Sequence, residues 1–197
     1  MNPAIFMKIF RAVPHAAFNP EREYRRHPGT RLPANVPYLV DNLWEFTRPD
    51  AMPSRRKSVY ASPTAALALD GAAGVGRPKD GFIVCRVECR GAPKTFQLSV
   101  ADARYHPDVK ILQKAVHDKL AGPVAVGFED KLALAPLFVP GMTRAELQAA
   151  MDGNAGLRGL VMELAALVAL WKDTPDSALG ELFFEIDEDN AYTLHPL

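Results

Sequence analysis

The chain has 197 residues, is 48% hydrophobic, and carries 23 basic against 23 acidic side chains. That length suits one well-cored domain, here taken as residues 1–197. Balanced charge removes net charge as a reason to expect a nucleic-acid or membrane partner. The charges are nonetheless unevenly spread. Arg22, Arg25, Arg26, Arg31, Arg48, Arg55, Arg56 and Lys57 crowd the span 21–57, whereas the end from Asp173 on holds seven carboxylates and no Lys or Arg. Two readings follow, with the first favoured: the two ends attract each other across the fold, or the basic span meets an anionic ligand or partner.

In chain order, residues 5–13, "IFMKIFRAV", alternate enough for a strand. Residues 14–37 contain Pro14, Pro20, Pro28, Pro33 and Pro37 among many charges and read as a long loop. "VPYLVDNLWEFTRP" is a short amphipathic helix with Val40, Leu43 and Trp44 on its apolar side. "SVYASPT", residues 58–64, begins as a strand and breaks at Pro63 into a helix running from about Ser62 to Leu69. "GAAGVGRPKDG" is a loop, and its glycines do not follow a strand as a dinucleotide-binding turn would. "GFIVCRVECR" and "KTFQLSV" are strands, paired through Gly91-Ala92-Pro93. "HPDVKILQKAVHDKLAG" is a helix ending at Gly122. Thr143 and Glu146 form a capping box that opens a helix to about Met151. "AGLRGLVMELAALVALWKD" is the most apolar helix, with Leu157, Leu160, Val161, Leu164, Val168 and Trp171 as a core stripe. "GELFFEID" and "AYTLHP" close the chain as strands joined by Asp189-Asn190. Strands at both ends with helices between them make an α+β fold.

Cys85 and Cys89 sit on one strand face about 13 Å apart by the strand rise, too far to bridge. No second Cys/His pair stands at zinc-site spacing, so no metal is expected. The amino-terminal stretch does not resemble a secretory signal, and the apolar run 159–171 is too short to span a bilayer. The expected location is the cytoplasm, reached directly or by delivery into another cell.

Several residues have both an ordinary and a functional reading. Arg11 ends an apolar strand, either as an edge arginine or as an anion clamp. Tyr60 is a core ring or a stacking platform. Ser62 and Thr64 cap a helix, whose start also suits an anion. Glu181, first in "ELFFEI", is a solvated strand-end carboxylate or a catalytic one; Glu185 shares its face but lies farther in.

Taken in order, Phe10-Arg11, "VYASPTAALAL" and "ELFFEI…AYTL" resemble the ADP-ribosyltransferase fold, and the middle piece is also similar to the RES-domain toxins that degrade NAD⁺. The likeness covers about fifty residues in three islands. It implies a split β-sheet core with flanking helices and NAD⁺ as substrate. ADP-ribose would pass to a protein or nucleic-acid target, in the manner of a bacterial toxin or effector with an antitoxin or chaperone partner. It assigns Arg11 to an NAD⁺ phosphate or ribose, Ser62 and Thr64 to support of the site, Tyr60 to stacking on nicotinamide, and Glu181 to the nicotinamide ribose. The chain departs from these families in three ways. Leu179 stands where arginine-specific enzymes carry glutamate. Arg11 replaces the histidine of the diphtheria-toxin-like branch. The nearest acid in the helix after "VYAS" is Asp70 rather than the RES glutamate. NAD⁺ hydrolysis and a non-enzymatic module using the basic 21–57 segment are the alternative functions.

Overall fold

A computed structural model describes residues 8–25, 29–74, 78–121, 127–174, 178–187 and 189–197. Its strands and helices run, in order, β1 (Phe10–Pro14), β2 (Tyr24–Arg25), α1 (Tyr38–Thr47), β3 (Val59–Ala61), α2 (Ala65–Ala73), β4 (Phe82–Cys89), β5 (Lys94–Gln97), α3 (Pro107–Leu120), α4 (Phe128–Ala133), α5 (Arg144–Asp152), α6 (Ala155–Leu167), β6 (Leu182–Glu185) and β7 (Ala191–Pro196). The fold is mixed α and β, and the chain divides into two compact units. One takes residues 1–29, 51–102 and 174–197 and holds all the strands; the other takes 30–50 and 103–173 and is helical.

The strand-bearing unit contains two antiparallel sheets, ordered β1-β4-β7-β2 and β3-β6-β5. An antiparallel bridge between Phe10 and Ser62 joins them, with reciprocal backbone bonds of 2.9 and 2.8 Å. The strands therefore form one band that curls at this bridge. Its inner face carries Ile9, Val13, Val59, Ala61, Cys85, Val87, Leu182, Phe184, Ile186, Tyr192 and Leu194, which pack as a single apolar cluster. Because side chains alternate along a strand, Tyr60, Ser62, Glu181, Phe183 and Phe96 belong to the outer face. β6 is apolar on both sides, as a central strand covered on each face must be.

Two expected pairings differ from those found. β4 does not pair with β5; Gly91, at φ +78°, turns the chain away, and β5 joins β6 in the other sheet. β6 and β7 likewise follow each other without forming a hairpin, since β7 lies between β4 and β2. The glycine-containing segment after "VYASPT" is also helical as far as Ala73, Lys79–Gly81 form a 3-10 turn, and residues 75–77 lie outside the described set. Among the described residues the first strand covers Phe10–Pro14; the expected residues 5–7 lie outside the described set, as does Gly122. The expected 14–37 loop contains the short strand β2.

In the helical unit, α1 buries Leu39, Val40, Leu43 and Trp44 and packs against α3, α5 and α6. Asp41 and Asn42 are buried beside them, and Asn42 Nδ2 donates to the carbonyls of Leu137 at 2.9 Å and Val139 at 2.8 Å. Asp108, fully buried at the start of α3, accepts from Trp44 Nε1 at 2.9 Å and from the backbone amides of Ala169 and Leu170. One carboxylate thus ties three segments and satisfies donors that burial would otherwise strand. α5 opens on the capping box expected at Thr143 and Glu146. α6 buries Leu157, Leu160, Val161 and Leu164 of the expected stripe, but it ends at Leu167, so Val168 is its C-cap and Trp171 lies in a separate 3-10 turn, Leu170–Lys172. Among the described residues no helix is long and apolar enough to cross a membrane.

Candidate functional site

The three sequence islands meet at the backbone. β3 lies between the start of β1, through the Phe10–Ser62 bridge, and β6, where Tyr60 faces Phe183 and Ala61 faces Leu182. Continuing that register brings Glu181 beside Ser62. Glu181 is pinned on its other side, where its N–H donates to Val100 at 2.8 Å and its carbonyl accepts from Leu98 at 2.9 Å. Gly180 makes this possible: a Cβ there would fall 1.6 Å from the Leu98 carbonyl oxygen. Gln97 Nε2 completes the corner by donating to the Gly180 carbonyl at 3.2 Å.

On the outer face, Tyr60 and Phe183 have ring centroids 6.0 Å apart, and Phe96 lies 5.7 Å beyond Phe183. Above them sits Arg55. Its guanidinium carbon is 5.2 Å from the Tyr60 ring centre and 5.1 Å from that of Phe183. Its Nη1 is 3.9 Å from Glu181 Oε1. The Arg55 side chain is 5% exposed and that of Glu181 14%, so both charges are largely removed from water and attract more strongly than a surface pair. The backbone carrying Arg55 is held by a tight turn. Ser58 Oγ donates to the Ser54 carbonyl at 2.6 Å, Ser54 N–H donates to Glu185 Oε2 at 2.8 Å, and the Tyr60 hydroxyl donates to the Arg55 carbonyl at 3.1 Å.

Tyr60, Ser62 and Glu181 are thus neighbours on one face. Thr64 has the helix-capping role: its Oγ1 accepts from Leu67 N–H at 3.3 Å. Arg11 shares the inner face with Ile9 and Val13, and its Nη1 donates to the Tyr192 hydroxyl at 2.5 Å. Tyr192 stacks on Tyr24 at 5.3 Å and meets Phe184 edge-on at 5.5 Å. Burial pushes the Tyr192 hydroxyl's pKa up, and the Arg11 charge works against that shift. Burial also raises the Cys85 thiol, again opposed by Arg11, and lifts Cys89 to about 11.

Arg55 is the residue that sequence reasoning misses. In the sequence it belongs with Arg56 and Lys57 to a basic run, yet Arg55 and Arg56 are both buried. The available signal is the pair Ser54 and Ser58, flanking the run four residues apart, a spacing at which a hydroxyl can close a turn on a backbone carbonyl.

Chemically, two aromatic faces beside a shielded carboxylate suit a planar cation. A carboxylate whose backbone is fixed by bonds to Leu98 and Val100 can also stabilise positive charge that develops during a reaction. Among the described residues no cluster of three or more His, Cys, Asp or Glu is placed to hold a metal ion. An open hollow in the helical unit, lined by Phe46, Thr47, Arg48, Arg144, Ala145 and Gln148, contains none of the expected site residues. Its arginines are matched by acids, Arg48 with Glu45 at 3.0 Å and Arg144 with Asp50 at 3.1 Å. No protein-family model, curated protein or solved structure matches the chain.

Proposed function

We propose that the chain is an ADP-ribosyltransferase-like protein that cleaves the nicotinamide–ribose bond of NAD⁺ and transfers ADP-ribose to a macromolecular acceptor. The observation that carries this reading is the grouping of Tyr60, Ser62 and Glu181 on one strand face, with the Glu181 carboxylate sheltered from water. In the proposed reaction the glycosidic bond breaks and nicotinamide departs as the neutral base with the bonding electron pair. Glu181 stabilises the positive charge left on the ribose. An acceptor nucleophile then bonds to that carbon and loses its proton. Tyr60 supplies a ring face for nicotinamide, and Ser62 and Thr64 hold the strand–helix junction; Arg11, on the reverse face against Tyr192, is left out of the site. The setting proposed is that of a cytoplasmic toxin or effector, with an antitoxin or chaperone as partner.

Nicotinamide release from NAD⁺, measured with and without cell lysate, tests this. Wild type should release nicotinamide, and Glu181→Gln should lose roughly 10²–10³-fold in rate, the size of a lost transition-state charge contact. No release by wild type in either condition, or unchanged turnover in Glu181→Gln, refutes it. Labelled NAD⁺ separates transfer onto lysate protein or nucleic acid from RES-like hydrolysis. A second reading, a non-enzymatic interaction module, is favoured by one observation: Arg55 already covers the Tyr60 and Phe183 rings.

A further inference from the structure

We infer that Glu185 is a positioning residue: through the Ser54 amide it fixes the turn that sets Arg55 against the Glu181 carboxylate. Glu181 and Glu185 stand four residues apart on one face of the same stretch of chain, about 13 Å by the strand rise. Two consecutive residues of the turn meet them. Ser54 N–H donates to Glu185 Oε2 at 2.8 Å, and Arg55 Nη1 lies 3.9 Å from Glu181 Oε1. The bond from Ser58 Oγ to the Ser54 carbonyl closes the turn on itself, and the bond from the Tyr60 hydroxyl to the Arg55 carbonyl ties it to β3, its own continuation. Of these three backbone fastenings, the one to Glu185 spans 131 residues and joins the turn to the strand that leads away from Glu181. An ionised acceptor makes that bond stronger than a neutral one would be. With Ser54 held there, the Arg55 side chain starts from a fixed point. Its course over Tyr60 and Phe183, 5.2 and 5.1 Å from the ring centres, then brings Nη1 to Glu181. The second carboxylate of the strand thus sets the geometry around the first.

The inference rests on the proposed function only in taking Glu181 to act on NAD⁺. Its first test needs no activity. A double-mutant cycle of Arg55→Gln and Glu181→Gln, read by urea unfolding of the full chain, measures how strongly the two residues are coupled. The same cycle in a Glu185→Ala background should lose at least about half of that coupling. Glu185→Gln, which keeps an acceptor for the Ser54 amide, should retain more of it than Glu185→Ala. No coupling in the wild-type background, or a coupling that Glu185→Ala leaves unchanged, overturns the inference. Should a variant of the cycle fail to fold by circular dichroism, Glu185→Asp decides, since it keeps the charge and shortens the reach by one methylene. The Arg55 Nε–H resonance, shifted by two rings in wild type, should move toward its unstacked position in Glu185→Asp, and an unmoved resonance overturns the inference. Nicotinamide release from NAD⁺ then separates the two ideas. Glu185→Ala should lower kcat at least about 10-fold while KM stays within about 2-fold, and Glu185→Gln should recover most of the rate. Loss of coupling in a protein whose wild type releases no nicotinamide retires the enzymatic reading and keeps the positioning role. Release with coupling and kcat both unchanged in Glu185→Ala does the reverse.

Discussion

Gly180→Ala should be among the most damaging single-methyl additions in the strand-bearing unit. The new Cβ would lie 1.6 Å from the Leu98 carbonyl oxygen, 2.7 Å from its carbon and 3.2 Å from Gln97 Cγ. The first two are backbone atoms of the segment that pairs with Glu181, so no side-chain rotation relieves them. Moving the backbone far enough to reach contact distance breaks or stretches the Leu98–Glu181 and Val100–Glu181 bonds and the Gln97–Gly180 bond. Overpacking strain of about 1–3 kcal/mol and two or three weakened hydrogen bonds at about 1 kcal/mol each give a loss of roughly 3–6 kcal/mol. For a chain of this size that lowers the midpoint of a thermal melt followed by circular dichroism by about 6–24 °C. Gly71→Ala is the control. Gly71 lies inside α2, and a methyl group added there would meet nothing within 4 Å, so the change should stabilise by about 0.5–1 kcal/mol through helix propensity alone. A Gly180→Ala protein within about 0.5 kcal/mol of wild type would show that the tight corner does not position Glu181, and the reasoning would fail.

In the helical unit, Asp108→Ala leaves Trp44 Nε1 and the amides of Ala169 and Leu170 without their acceptor in a fully buried place. The expected loss is about 3–5 kcal/mol in urea unfolding, and a loss below about 1 kcal/mol would refute the role of this carboxylate as a tie between segments. Cys89, lifted by burial from 9.0 to about 11, should react with a thiol reagent at pH 8 roughly 100-fold more slowly in folded than in unfolded protein. The same shift sets a sign for stability. The folded group holds its proton more tightly than the unfolded one, so its contribution is intact below pH 9 and is lost as pH rises through about 11. Labelling rates equal in the two states, or stability rising over that interval, would contradict it.

Strand and helix identity were legible where periodicity was strong. Leu157, Leu160, Val161 and Leu164 are the buried stripe of α6, and the Thr143–Glu146 pattern caps α5. Strand partners were less legible. A three-residue connection such as Gly91-Ala92-Pro93 serves a hairpin or a corner between sheets equally well, and hydrophobic alternation does not say which. The choice depends on long-range packing: β5 completes the sheet that covers Phe183 and Phe184, while β4 takes the place beside β1 and β7. α4 escaped notice because a helix of six residues is too short to show an apolar stripe. The candidate site was legible as a set of strand positions, Tyr60, Ser62 and Glu181. Arg55 was not, because a charge run carries no sign of which member is folded inward.

The separation of Arg11 from that set follows from the one bridge that joins the sheets. Directly opposed residues of an antiparallel pair share a face. With Phe10 opposite Ser62, Phe10 belongs to the Tyr60–Glu181 face and Arg11 to the reverse one. A slip of one residue would exchange them, and would also turn Ile9 and Val13 out of the inner cluster. Burying each of those side chains is worth about 1.5–3 kcal/mol, more than a single exposed ion pair offers in return. The apolar alternation "IFRAV" therefore decides where the arginine goes, whatever chemistry the site performs. Arg11 finds the Tyr192 hydroxyl on the inner face, and the outer face takes its cation from the turn at Arg55. Each face of the curled band thus carries an arginine set over aromatic rings, but only the outer one places that arginine beside the Glu181 carboxylate.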